Sequence, residues 1–185
     1  DPTLYAIDQF VLRGGMLVAL VDPMSRIDMA MSQQMMQMGG GRMPEVSSNL
    51  AKLFAVWGIE YDQGNIVGDA RLATRVSAGG APIAYPFFVS LLGESINKNS
   101  IATAQLSNVL FGEPGALSLK ADSGFKFEPL LQTSVDAGVA NGQLAAFMGQ
   151  ADFARELKID VKARTLAVIL TGKLKSAFPG PPPAA

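Results

Sequence analysis

Apolar residues at Leu4, Ile7, Phe10 and Val11 recur at helical spacing, which predicts a helix over Leu4 to Arg13 stopped by Gly14-Gly15. Met16 to Val21 follows as an unbroken apolar run, the pattern of a strand buried on both faces, and it ends at Asp22-Pro23. Helix, glycine pair, buried strand and aspartate in that order predict a parallel α/β layer. Residues 24–43 hold seven of the nine methionines and run into Gly39-Gly40-Gly41, which reads as a short helix fading into a mobile loop. Ser47, Ser48 or Asn49 caps a helix carrying Leu50, Leu53, Phe54 and Trp57, and Gly58 ends it. Ile59 to Tyr61 reads as a short strand, Asp62-Gln63-Gly64 as a turn, and Leu72 to Val76 as a further strand or edge. Gly79-Gly80, Pro82 and Pro86 predict a loop-rich middle that reaches Asn99. Strands are expected at Leu106 to Phe111, Ala116 to Leu119, Leu130 to Ser134 and Thr165 to Leu170, with a helix over Ala145 to Leu157. The expected organisation is one α/β domain over residues 1–178, with a Met/Gly-rich mobile loop at about 24–45 and a proline-rich tail at 179–185.

Composition narrows the function. The 185 residues, 49% hydrophobic and 17% charged, suffice for a globular core. Fifteen basic residues against sixteen acidic leave a net charge of −1, so the clustered cations that neutralise phosphates are missing and nucleic acid is not an expected partner. No apolar run approaches the ~18 residues that span a bilayer. The chain opens on Asp1-Pro2 without a signal peptide, which reads as an internal fragment whose membrane attachment lies in segments outside it. The chain contains no cysteine and no histidine. That removes Ser-His-Asp and Cys-His catalysis, imidazole bases and His or Cys zinc sites together, so a non-enzymatic protein without a cofactor is expected.

Several stretches, in order along the chain, resemble one family. They are Leu4 to Gly15 followed by Leu17 to Pro23, then Leu53 to Ile59 with its Trp-Gly-Ile ending, then Val67-Gly68-Asp69, and finally Leu170 to Phe178. Together they resemble the GldG-like, gliding-motility-related auxiliary components of ABC transporters. The resemblance implies an extracytoplasmic (periplasmic) domain of a membrane-anchored bacterial protein that partners an ABC permease and ATPase. It also implies a three-layer α/β fold with a mostly parallel or mixed sheet flanked by helices, flavodoxin-like or class I glutamine-amidotransferase-like. Amidotransferase chemistry needs a cysteine and a histidine, so that activity does not accompany the fold.

Candidate ligand-binding residues are Asp22, Ser25, Asp69 and Arg71, toward an unidentified small molecule or polymer. Asp22 ends the first strand, where open α/β sheets place ligands, although turn chemistry favours a plainer role capping the turn before Pro23. Asp69 and Arg71 flank Ala70 beside Gly68, where a guanidinium offers bidentate contacts to anions; a structural Asp-Arg pair is the plainer reading. Met29, Met31, Met35, Met36 and Met38 place soft thioethers close together, which suits Cu(I) in an independent periplasmic binding module, or else an adaptable apolar contact surface. A hydrolase using Asp22 with Asp69 or Glu94 is the remaining alternative. Gly172-Lys173 is followed by Leu174, so no phosphate loop forms, and the glycine pairs make no dinucleotide fingerprint.

Overall fold

A computed structural model describes residues 2–39, 47–78, 80–121 and 123–180. Four α-helices are present among them: α1 (Pro2–Leu12), α2 (Arg26–Gln37), α3 (Ala51–Trp57) and the single turn α4 (Gln150–Phe153). Ten strands follow and interleave: β1 (Ile59–Tyr61), β2 (Asn65–Asp69), β3 (Ala73–Ala78), β4 (Ala81–Leu92), β5 (Asn108–Gly112), β6 (Leu117–Leu119), β7 (Phe125–Gln132), β8 (Ala137–Asn141), β9 (Lys158–Ile159) and β10 (Thr165–Gly172). They form three small sheets with strand orders β1-β6-β10-β7, β2-β8-β9 and β3-β4-β5.

Every ladder among the described residues is antiparallel. The expected α/β layering, with its parallel or mixed sheet of flavodoxin-like or amidotransferase-like type, is therefore not the fold. Parallel pairing needs crossover connections of a dozen or more residues. Here β3 pairs with β4 across a two-residue connection, which only antiparallel neighbours use. The run that suggested the parallel layer, Met16 to Val21, joins no ladder among the described residues; the first bridge after it is Asp22 with Ser48. Leu17 and Val21 pack with Leu4, Ile7 and Val11 of α1 in a core that includes Leu53, Phe54 and Trp57 of α3. The alternate residues Met16, Val18 and Leu20 are 86%, 80% and 90% exposed. An apolar stretch covered on one face and bare on the other has the same composition as one buried on both, which is why the pattern misled.

The loop-rich middle is also corrected. Its two prolines lie within β4, the longest strand, whose Tyr85, Phe87, Val89 and Leu91 are all fully buried. β3 pairs with β4 from Ala81 to Tyr85 and resumes only at Val89, so Pro86 sits in a bulge where no ladder N–H is required. β4 thereby changes partner, from β3 to β5, and its stripe spans two cores. Tyr85 and Phe87 meet Ile66, Ala140 and Phe153, whereas Val89 and Leu91 meet Val67, Ile96, Leu131 and Leu166. The helix expected at Ala145 to Leu157 is broken into single turns, with Gly149 as the N-cap of α4.

Other local readings hold. The helix expected from Leu4 is α1, with Gly14 at φ +89° just beyond its end. Gly58 closes α3 in the left-handed conformation at φ 70°; the N-cap is Leu50, not one of the three residues expected, although the Asn49 carboxamide oxygen just ahead of it accepts the Ala51 amide at 2.8 Å. The Met-rich stretch forms α2; the loop expected after it falls at residues 40–46, outside the described residues, as do 181–185 of the proline-rich tail. The carboxylate of Asp8, fully buried on α1, accepts from Ser176 Oγ at 2.6 Å and from the Ala177 amide at 3.0 Å. It ties the first helix to the far end of the chain, a charge-assisted contact that the apolar spacing of α1 does not reveal.

Candidate functional site

A cleft of about 320 Å³ opens where the end of the bare segment, Leu20 and Val21, meets the β5–β6 connection at Glu113, Pro114 and Gly115. Asp22 and Tyr61 share its wall, with Phe111, Leu117 and Leu166 as apolar lining. The backbone of Asp22 pairs with Ser48 in both directions, and its Oδ1 accepts from the Met24 amide at 2.8 Å. This is the turn-capping role, and the other carboxylate oxygen has no hydrogen-bond partner among the described residues.

Tyr61 ends β1, and its hydroxyl is buried without a hydrogen-bond partner among the described residues. Burial first, then the charges of Asp22 and Asp62, holds its phenol well above the ordinary tyrosine pKa. The ring lies against Gly115, where an added Cβ would stand 2.5 Å from a ring carbon, so a glycine there makes room for the tyrosine. On its other side Tyr61 borders a wider groove of about 890 Å³ that carries charges of both signs, including Glu60, Asp62, Lys120 and Arg164.

Behind the cleft stands a closed ionic group. Glu113, buried and at the left-handed φ of 54°, accepts from Arg26 through both carboxylate oxygens and from the Tyr85 hydroxyl at 2.7 Å. Burial and the Glu113 hydrogen bond together push the Tyr85 phenol upward. Both oxygens of Glu113 are occupied, so the group pins the start of α2 to β4 and offers no free base.

The remaining sequence candidates are dispersed. Ser25 is the N-cap of α2, its hydroxyl accepting from the Asp28 amide at 3.2 Å. Asp69 is fully buried and accepts from the amides of Arg71, Leu72 and Ser134 and from Ser134 Oγ, while the Arg71 side chain stays exposed. Neither Asp69 nor Glu94 lines the Asp22 cleft, so the carboxylate pair of the hydrolase alternative does not assemble there. Met29 packs against the β4 core, whereas Met31, Met35 and Met38 are exposed on one stripe of α2 with Ile27. Among the described residues no group of three or more acidic, His or Cys side chains is placed to hold a metal ion. No described helix is long and apolar enough to cross a membrane. Tyr61 and Gly115 escaped the sequence reading because an isolated tyrosine in a three-residue strand looks like any other half-buried aromatic.

No curated protein and no solved structure matches the chain. The family described as an ABC-type uncharacterized transport system matches it over residues 1–185. The chain belongs to this family of ABC-type transport systems as an auxiliary component.

Proposed function

We propose that the chain is a non-catalytic recognition and coupling domain that holds a partner of the transport system through its bare apolar segment. One observation carries this: Met16, Val18 and Leu20 project from one side of an extended run that joins no ladder among the described residues. From Gly14 to Val21 there is no charge and no proline, the devices that keep open edges from pairing. Such a run accepts an added strand, main chain to main chain, with alternate side chains supplying specificity. The Ile27, Met31, Met35 and Met38 stripe on α2 offers further adaptable apolar contact.

The partner that the segment meets in this reading is the permease, and hydrolysis belongs to the separate ATPase subunit. The setting is the extracytoplasmic side of a GldG-like, gliding-motility-related system, supported by the family resemblance of the quoted stretches. Val18→Lys tests the contact. Val18 is exposed, so thermal stability should stay within about 0.5 kcal/mol of the parent. Association with solubilised permease–ATPase complex should weaken at least about tenfold. Ile101→Lys, at a site 97% exposed in a remote turn, should change neither. Undiminished association of the Val18→Lys variant would contradict the proposal.

A further inference from the structure

Methionine is among the residue types that folding most often hides, yet five of the eight described methionines are exposed. Met16 and Met38 are the barest, and Met31, Met35 and Met36 are each roughly half exposed. Met24, by contrast, is buried, and Met29 and Met148 pack against the β4 core. The chain holds no cysteine, and its single tryptophan, Trp57, is buried, so neither a thiol nor an open indole competes for an oxidant. The bare thioethers are therefore the most oxidisable groups that solvent reaches among the described residues. They also stand where polarity matters. Met16 lies on the unpaired run, and Met31, Met35 and Met38 share one stripe of α2 with Ile27. Leucine would fill the same apolar role and be inert; what the thioether adds is adaptability and a reactive sulfur lone pair.

We propose that these exposed methionines are a reversible oxidation site through which peroxide turns the contact surface polar and releases the partner. The thioether lone pair attacks one peroxide oxygen, and the O–O bond breaks as the S–O bond forms. The departing hydroxide takes the proton of the transferred oxygen and leaves as water. Sulfur gives up two electrons and the peroxide gains them. The product is a polar, chiral sulfoxide in place of a flexible apolar side chain. At Met16 it sets a strong acceptor into a run that carries no charge from Gly14 to Val21. On α2 it interrupts the stripe at each of three positions, and burying such acceptors against an apolar partner leaves them unsatisfied. Methionine sulfoxide reductases, one for each epimer, restore the thioether, so the change resets. Release of the partner rests on the reading of these surfaces as the contact with the permease; the pattern of oxidation does not.

Exposure of the full chain to hydrogen peroxide, quenched at intervals and followed by mass mapping of its peptides, tests the first half. Met16, Met31, Met35 and Met38 should gain one oxygen at least about tenfold faster than Met24. The oxidised chain should elute earlier from a hydrophobic-interaction column and keep its far-ultraviolet circular dichroism. Its affinity for the solubilised permease–ATPase complex should fall at least about tenfold and return after treatment with both reductases and dithiothreitol. A variant with Met16→Leu, Met31→Leu, Met35→Leu and Met38→Leu, whatever its own affinity, should bind equally before and after peroxide, although Met36 off the stripe still oxidises in it. Equal oxidation of Met24, unchanged column retention, or affinity untouched by oxidation would overturn the proposal. So would a loss that the reductases fail to reverse, or one that persists in the fourfold variant. The map and the column need no transporter. An untreated chain that fails to bind the complex therefore sinks the docking reading, and those two readouts still decide the oxidation site.

Discussion

Asp69→Ala is expected to be the most damaging single substitution, lowering stability by about 4 kcal/mol. The Asp69 carboxylate is fully inaccessible and receives four donors: the amides of Arg71 and Leu72, each at 2.9 Å, the Ser134 amide at 2.6 Å, and Ser134 Oγ at 3.0 Å. Hydrogen bonds to a charged acceptor are worth about 1.5–3 kcal/mol each, and the loss is less than additive because the loop relaxes. Alanine leaves three part-buried amides without their acceptor and frees the 133–136 connection from the end of β2. For a chain of this size the corresponding drop in melting temperature is roughly 8–16 °C. Asp69→Asn should also destabilise, because a carboxamide cannot accept with both of its terminal atoms. A loss below about 1 kcal/mol in the alanine variant would contradict the assignment of Asp69 as a structural anchor, and would return it to the list of ligand contacts.

Gly138→Ala is expected to cost about 3 kcal/mol, roughly 6–12 °C in melting temperature, for a reason unrelated to backbone freedom. Gly138 pairs with Gly68 across β2 and β8 and with Ile159 across β8 and β9. A Cβ at Gly138 would overlap the Lys158 carbonyl and stand 3.0 Å from the Ile159 Cα, so the obstacle is main chain that no rotamer change can move. The strand must give way, and β9, two residues long, is the part that will. Amide exchange should accelerate at Lys158 and Ile159 before the rest of the β2-β8-β9 sheet responds. Gly149→Ala is the matched control, since nothing lies within 4 Å of its added methyl and its φ is −65°. Equal stability of the two variants would refute the close approach of β8 and β9.

The sequence announced some of this architecture and concealed the rest for identifiable reasons. α1 and α3 were legible because helical spacing and a stopping glycine agreed at each, and β10 because Leu166 to Leu170 is an unbroken apolar run. β4 was not, because Pro82 and Pro86 signal loop to any local rule, whereas the bulge opposite β3 spares Pro86 the missing donor. Its period-two stripe at Tyr85, Phe87, Val89 and Leu91 was present in the letters and outweighed by the prolines. Met16 to Val21 failed in the opposite sense: the pattern promised a strand, yet the run pairs with no neighbour among the described residues, and sheet type is set by partners. At the site, Asp22 was found through its place at the end of that run, while Tyr61 needed tertiary structure to show an unpaired hydroxyl beside it. Asp69 and Arg71, neighbours in sequence, proved to have separate lives, one buried as an anchor and the other exposed.

The described residues form antiparallel sheets, and the proposed contact surface is the exposed side of Met16 to Leu20. Amide hydrogen exchange across residues 16–21, with and without the permease–ATPase complex, tests that most directly. The account predicts rapid exchange in the chain alone and strong protection on complex formation, confined to this run and its flanks. Protection already complete in the isolated monomer, or exchange that stays fast in the assembled complex, would contradict it.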